Sequence, residues 1–115
     1  MGNISKNFDR EEFACSCGCG FDTVDVTLLN ALEAIRETCG PVQVTSGCRC
    51  DAYNQKIGGA PNSQHKKGRA ADIQLSTTSP SKVAELASQL GMSVGSYITF
   101  THVDSRTGVP RSWTG

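Results

Sequence analysis

The chain contains two histidines, His65 and His102, and each stands close in sequence to an aspartate. Asp72 follows His65 within "SQHKKGRAADI", and Asp104 follows His102 within "FTHVD". A catalytic zinc ion needs three protein ligands of nitrogen or oxygen type and one position open to water. His65, Asp72 and His102 supply that set. His65 belongs to a polar loop and Asp72 to an extended run, with Gly68 between them where the chain can fold back. Later, Ile98, Phe100, His102 and Asp104 share one face of a strand by the two-residue period. If that strand pairs beside residues 69–75, the three ligands meet in one cleft. The competing reading is plainer: a solvated histidine in a lysine-rich loop, and a His–Asp hydrogen bond on an edge strand.

Six cysteines, Cys15, Cys17, Cys19, Cys39, Cys48 and Cys50, are a high count for 115 residues. They allow many disulfide pairings, and spacing alone does not choose among them. A second option is a thiolate zinc site in which Cys15, Cys17 and Cys19 meet Cys48 and Cys50 in space. Disulfides, free thiols and a thiolate zinc site all stay open, and in each case the cysteines are structural.

Several elements must position these residues. Asp9 and Glu12 form a capping-box pattern for a short helix in "DREEF". "CSCGCGFD" reads as loop. Leu28, Leu29, Leu32, Ile35 and Arg36 follow helical spacing, and Gly40 closes that helix as a left-handed residue. Residues 42–45 form a short strand. The stretch 46–63 is a long irregular loop with one helical turn around 53–56, of a length that tends to carry function. Residues 69–75 read as a strand. Ser79 and Pro80 start a helix with Val83, Leu86, Ala87 and Leu90 on its apolar face, ended by Gly91. Residues 92–104 are strand material broken near Gly95, and the tail is a turn with a short extended end. The order predicts an α+β fold of one domain, residues 1–115, with a small, mainly antiparallel sheet and helices packed on one side.

Eleven basic and eleven acidic side chains cancel, so no field attracts nucleic acid or anionic lipid. Apolar runs fall short of the roughly 20 residues that span a bilayer. No nucleic-acid or membrane partner is expected, and the protein is expected to be a monomer. The first residues lack an apolar signal core. Lys6 stands where a myristoylation signal has Ser or Thr, so no lipid anchor is expected.

The segment "VTSGCRCDAYNQKIGGAPNSQHKKGRAADIQL" resembles the signature of the zinc D-Ala-D-Ala carboxypeptidase-like family of peptidoglycan peptidases. The shared features are a Ser-Gly-x-Arg segment, an Asn before a Gly-Gly-Ala turn, and a Ser-x-His motif with an aspartate seven residues after the histidine. "GSYITFTHVDSR" is similar to that family's closing Gly-x-Tyr and Phe-x-His-x-Asp-x-Arg segment. "NFDREEFAC" and "LLNALEAIRE" resemble the N-terminal half of its compact phage and bacterial members. The likeness covers roughly residues 5–113.

That resemblance implies a zinc peptidase acting on an amide bond of the peptidoglycan stem peptide. His65, Asp72 and His102 match its zinc ligands. Arg49 matches the arginine that holds a substrate carbonyl or carboxylate or stabilises the oxyanion, a task suited to its planar cationic fork. Ser63 is expected to bond substrate or orient His65, against a simple turn role. The catalytic proton acceptor is Asp104 in this reading, with a place behind the His102 ring as its alternative. Relatives carry an acidic residue three positions before the last ligand histidine, and this chain has Thr99 there. Asp51 is a further candidate base. Cys48 replaces an aromatic residue of the family pattern. Arg111 and Trp113 could wall the cleft, although a terminal tryptophan more often plugs a core.

Synthesis in the cytoplasm, with action on the cell wall after release or as part of a phage virion, is the matching expectation for location. Two other functions remain open on these residues. One is a zinc-binding recognition module that has lost catalysis, as in the related hedgehog domain. The other is a cysteine-stapled structural protein without metal.

Overall fold

A computed structural model describes residues 4–61 and 63–115. The first three residues of the myristoylation-like opening therefore lie outside the described residues. A 3-10 turn at Arg10–Phe13 begins the ordered elements. Here Glu12 accepts a hydrogen bond from the Asp9 amide at 2.7 Å, as the capping-box pattern requires. Helix α1 (Val26–Cys39) follows, then β1 (Gln43–Ser46), the short α2 (Asp51–Lys56) and a 3-10 turn at Gln64–Lys67. The second half holds β2 (Ala70–Gln74), α3 (Pro80–Gln89), β3 (Ser93–Ser96), β4 (Thr101–Asp104) and β5 (Ser112–Thr114). No helix among the described residues is long and apolar enough to cross a membrane.

The strands form one sheet in the order β1-β2-β4-β3-β5. Every pairing is antiparallel except that of β3 with β5. This is the expected α+β, mainly antiparallel architecture. Alternation along the strands divides the sheet into two faces. Ala71, Ile73, Val94 and Val103 enter one buried cluster with Leu28, Leu32 and Ile35 of α1 and Val83 and Ala87 of α3. Phe8 and Phe13 close that core. The other face carries a row of directly paired residues, Ser46, Asp72, His102, Gly95 and Trp113, one from each strand. Directly paired residues project on the same side, so the register alone sets Asp72 and His102 side by side.

Helix α3 starts where its sequence indicates. Ser79 caps α3 by accepting from the Lys82 amide at 3.4 Å, and Pro80 occupies its first turn. At α1 the cap is different. Asp25 is the N-cap residue, but its carboxylate accepts from the Ser105 hydroxyl at 2.8 Å and so ties the helix start to the end of β4.

Several local expectations are corrected. The strand material of 92–104 breaks at Tyr97–Phe100, where the Tyr97 amide donates to the Phe100 carbonyl at 3.0 Å, and not at Gly95. Ile98 sits on that turn, 91 % exposed, and leaves the face that Phe100, His102 and Asp104 share. Gly95 lies inside β3 because the Trp113 indole occupies the space a Cβ would fill. On α3, Ala84 is buried and Leu90 is exposed, since Leu90 is already the C-cap residue. Gly40 ends α1 with φ +95° and ψ −168°, a mirror-extended and not a left-handed helical conformation.

Gly68 bears out the turn expected of it. Its φ is +67°, and an added Cβ would lie 2.6 Å from the Thr23 carbonyl oxygen. Its own carbonyl accepts from the Asp25 amide at 2.8 Å. Gly68→Ala is expected to cost about 1–3 kcal/mol through this collision, in addition to the unfavourable φ. Gly91→Ala, with φ +86° but none of the described residues within 4 Å of the new Cβ, should cost less. Urea denaturation of the two variants checks the order, and equal midpoints would remove the packing argument.

Candidate metal centre

His65 stands at the second position of the 3-10 turn that links α2 to β2. Ser63 caps this turn by accepting from the His65 amide at 3.2 Å. The His65 ring is buried, and its Nδ1 lies 2.6 Å from the Gly47 carbonyl oxygen. A carbonyl can only accept, so Nδ1 carries the proton and Nε2 presents a lone pair inward. That Nε2 is 3.4 Å from Asp72 Oδ1.

His102 repeats the arrangement with its nitrogens exchanged. Its Nε2 lies 2.8 Å from Asp104 Oδ2, and its Nδ1 lies 2.9 Å from Asp72 Oδ1. A proton on Nε2, donated to Asp104, leaves the Nδ1 lone pair facing Asp72. All three inward atoms lie within 4.8 Å of one another. Two neutral imidazole nitrogens and a carboxylate, each histidine held from behind by an oxygen acceptor, match the donor set of a catalytic zinc. Burial pushes the Asp72 carboxyl up, but the His102 and His65 rings, which donate to it whenever they are protonated, outweigh this and hold the group ionised well below the usual carboxylate range.

Asp104 is fully buried. Its Oδ1 accepts from the Arg106 amide at 3.1 Å and from Arg106 Nε at 2.8 Å. Its Oδ2 accepts from Arg106 Nη2 at 2.6 Å as well as from His102. Burial raises the Asp104 carboxyl, but the bonds from Arg106 and His102 more than reverse this and keep it ionised far below its ordinary range. The Arg106 guanidinium also lies 5.4 Å from the centroid of the Trp113 ring.

Arg49 reaches the site from the loop after β1. Its Nη2 is 3.7 Å from Asp72 Oδ2 and 3.5 Å from Ser46 Oγ, and its Nη1 is 3.4 Å from Asn54 Oδ1. These are long contacts, and its buried Nε has no partner among the described residues. The fork is held loosely, with donors in reserve for an arriving anion. Trp113 lines the cleft, 5.2 Å from the His102 ring, and its indole nitrogen donates to the Tyr97 hydroxyl at 2.9 Å. Tyr97 in turn stacks on Phe100 at 4.4 Å. Arg111 instead lines a separate depression with Arg69 and Lys67.

Among the described residues lining the cleft, Asp72 is the only carboxylate. Thr99 is exposed on the β3–β4 turn and faces a different depression beside Gln43 and Gln74. Asp51 is mostly exposed and pairs with Lys66 at 3.1 Å. Sequence reasoning assigned no role to Arg106 or to the Gly47 carbonyl. The Asp-x-Arg spacing was the available signal for Arg106; a backbone carbonyl leaves none.

Of the cysteines, Cys15, Cys17, Cys19 and Cys50 come together. Cys48 does not join them. It is buried with its thiol donating to the Phe21 carbonyl at 2.9 Å, and burial pushes that thiol up to about 11.

The family model described as Peptidase M15 matches residues 6–104, a span that contains His65, Asp72 and His102, Arg49 and the four clustered cysteines. No curated protein matches the chain.

Proposed function

Since the chain belongs to the Peptidase M15 family of zinc-dependent metallopeptidases, we propose that it hydrolyses an amide bond in peptidoglycan stem peptides, with His65, Asp72 and His102 holding one zinc ion. The single observation that carries this is the pair of oppositely turned histidines. Each has its outer nitrogen engaged by an oxygen, at 2.6 Å and 2.8 Å, and its inner nitrogen facing Asp72. When bound there, zinc polarises a scissile carbonyl and lowers the pKa of its water to about 7.

The remaining roles belong to the chain. Arg49 offers spare donors for the oxyanion or a substrate carboxylate. Trp113, Tyr97 and Phe100 form an aromatic wall against which a peptide can lie. Ser63 holds the His65 turn. Asp104 acts as the anchor of the His102 ring. Its complete burial and its three bonds from Arg106 support that role over proton transfer to substrate, because a general base must reach the reacting water. The reaction is of D-Ala-D-Ala carboxypeptidase or endopeptidase type, and the site of action is the cell wall.

One observation favours a second reading. With Asp72 engaged as a ligand, the cleft has no spare carboxylate among the described residues, as in a zinc-binding recognition module without catalysis. Digestion of purified muropeptides by the zinc-loaded protein separates the two. A new amine and carboxylate pair in the product masses is expected and identifies the bond. Muropeptide binding without any cleavage would establish the recognition module instead.

A further inference from the structure

The second cluster lies where the loop after the first 3-10 turn meets the start of α2. Sulfur separations there are 3.5 Å for Cys15–Cys17, 3.7 Å for Cys17–Cys50 and 3.8 Å for Cys15–Cys50. The Cys19 sulfur also lies within 4.8 Å of the others. A disulfide would bring two sulfurs to about 2.05 Å. Four sulfurs at about 2.3 Å from a tetrahedral ion stand about 3.8 Å apart. These three edges have the dimensions of a coordination shell.

The backbone is shaped to the same end. In an extended strand three alternate cysteines would be spread along the chain at nearly 7 Å intervals. Here Gly18 and Gly20 have φ of +80° and +90°, values that favour glycine. The Gly18 amide donates to the Cys15 carbonyl at 3.1 Å, and the Cys15 amide donates to the Phe21 carbonyl at 2.7 Å. The loop thus curls back on itself and turns three sulfurs toward one centre. Backbone amides also point at the sulfurs: Cys50 N–H donates to Cys15 Sγ at 3.5 Å and Tyr53 N–H to Cys50 Sγ at 3.4 Å. Donors of this kind stabilise thiolates that bind metal.

We propose that Cys15, Cys17, Cys19 and Cys50 bind a structural zinc ion, separate from the His65–Asp72–His102 centre, and that this ion fixes the segment carrying Gly47 and Arg49. Binding exchanges the thiol protons for Zn2+, with no change of oxidation state, and leaves a closed four-sulfur shell without a position for water. Soft thiolate ligands favour zinc over magnesium or calcium. The mechanical consequence follows from the 47–50 segment. Cys50 holds one end in the cluster, Cys48 N–H donates to the Phe13 carbonyl at 2.9 Å, and Arg49 N–H donates to the His65 carbonyl at 2.9 Å. The Gly47 carbonyl faces His65 Nδ1. A metal at the cysteines therefore braces both the His65 ring and the Arg49 fork. Its existence does not depend on the peptidase reading.

The test uses the full chain, purified under reducing conditions and loaded with zinc. Wild type is expected to hold two ions per chain, one for each ligand group. Cys17→Ser should lose one of them, while Cys39→Ser, outside the cluster, keeps both. Cobalt in place of zinc in the His102→Ala protein should give the intense near-ultraviolet thiolate-to-cobalt bands of tetrahedral sulfur coordination. If Cys17→Ser does not fold, zinc-edge X-ray absorption of wild type decides: a sulfur shell beside a nitrogen/oxygen shell is expected. Nitrogen and oxygen scatterers alone would overturn the proposal. So would six thiols that react with a thiol reagent at rates unaffected by a chelator.

Discussion

His102→Ala is expected to abolish turnover and to remove the cleft's zinc while leaving the fold intact. His102 stands at the middle of the row that crosses the sheet, paired with Asp72 on one side and Gly95 on the other. Among the described residues it is the one side chain that contacts both Asp72 and Asp104. Without it only His65 and Asp72 remain as ligands, fewer than the three that catalytic zinc sites use. Disturbing an outer partner of a ligand costs about 10- to 100-fold in affinity or activity, so losing the ligand should exceed about 100-fold. Because the apolar core lies on the opposite face, with Val103 and Ala71 pointing into it, circular dichroism should stay close to wild type. A variant that keeps its cleft zinc and its turnover would remove His102 from the centre.

Asp104→Asn should weaken zinc binding by roughly 10- to 100-fold and should be rescued by excess zinc. The carboxylate accepts at both oxygens, from the Arg106 backbone and side chain and from His102 Nε2. An amide of the same shape replaces one acceptor by a donor. Either Arg106 or the His102 ring then faces a donor and loses its partner. A loosened His102 binds the ion less tightly, yet a high zinc concentration refills the site and returns turnover to within a few-fold of wild type. A lost general base would behave otherwise, since occupancy does not restore a missing proton acceptor. Turnover measured against free zinc therefore separates the two roles, and a rate that stays low at saturating zinc would give Asp104 back its place as the base.

The two long helices and the candidate ligands were legible because local rules act on neighbouring residues. Leu28, Leu29, Leu32 and Ile35 fall on one face of α1 whatever it packs against, and Ser79–Pro80 marks a start by its own backbone chemistry. His65 and His102 were conspicuous as the two histidines of the chain. What escaped depends on contacts distant in sequence. Gly95 looked like a break because the Trp113 ring that justifies it arrives from β5, along a parallel pairing that nothing local announces. Cys48 and Cys50 look alike by spacing, yet Cys48 donates to the distant Phe21 carbonyl while Cys50 meets Cys15 and Cys17. Asp104 was placed on the correct face, but its burial under Arg106 is a tertiary fact. Strand period predicted the direction of that carboxylate without revealing that solvent is excluded from it.

We attribute amide hydrolysis by this protein to one zinc ion held by His65, Asp72 and His102. A zinc titration of metal-stripped protein, with stem-peptide cleavage followed at each step, tests this. Cleavage should be absent without metal and rise in proportion to occupancy of the His–Asp–His cleft, reaching its plateau when that cleft is full. Cleavage that proceeds at full rate in the metal-stripped protein, or that stays absent when the cleft is fully loaded, would contradict it.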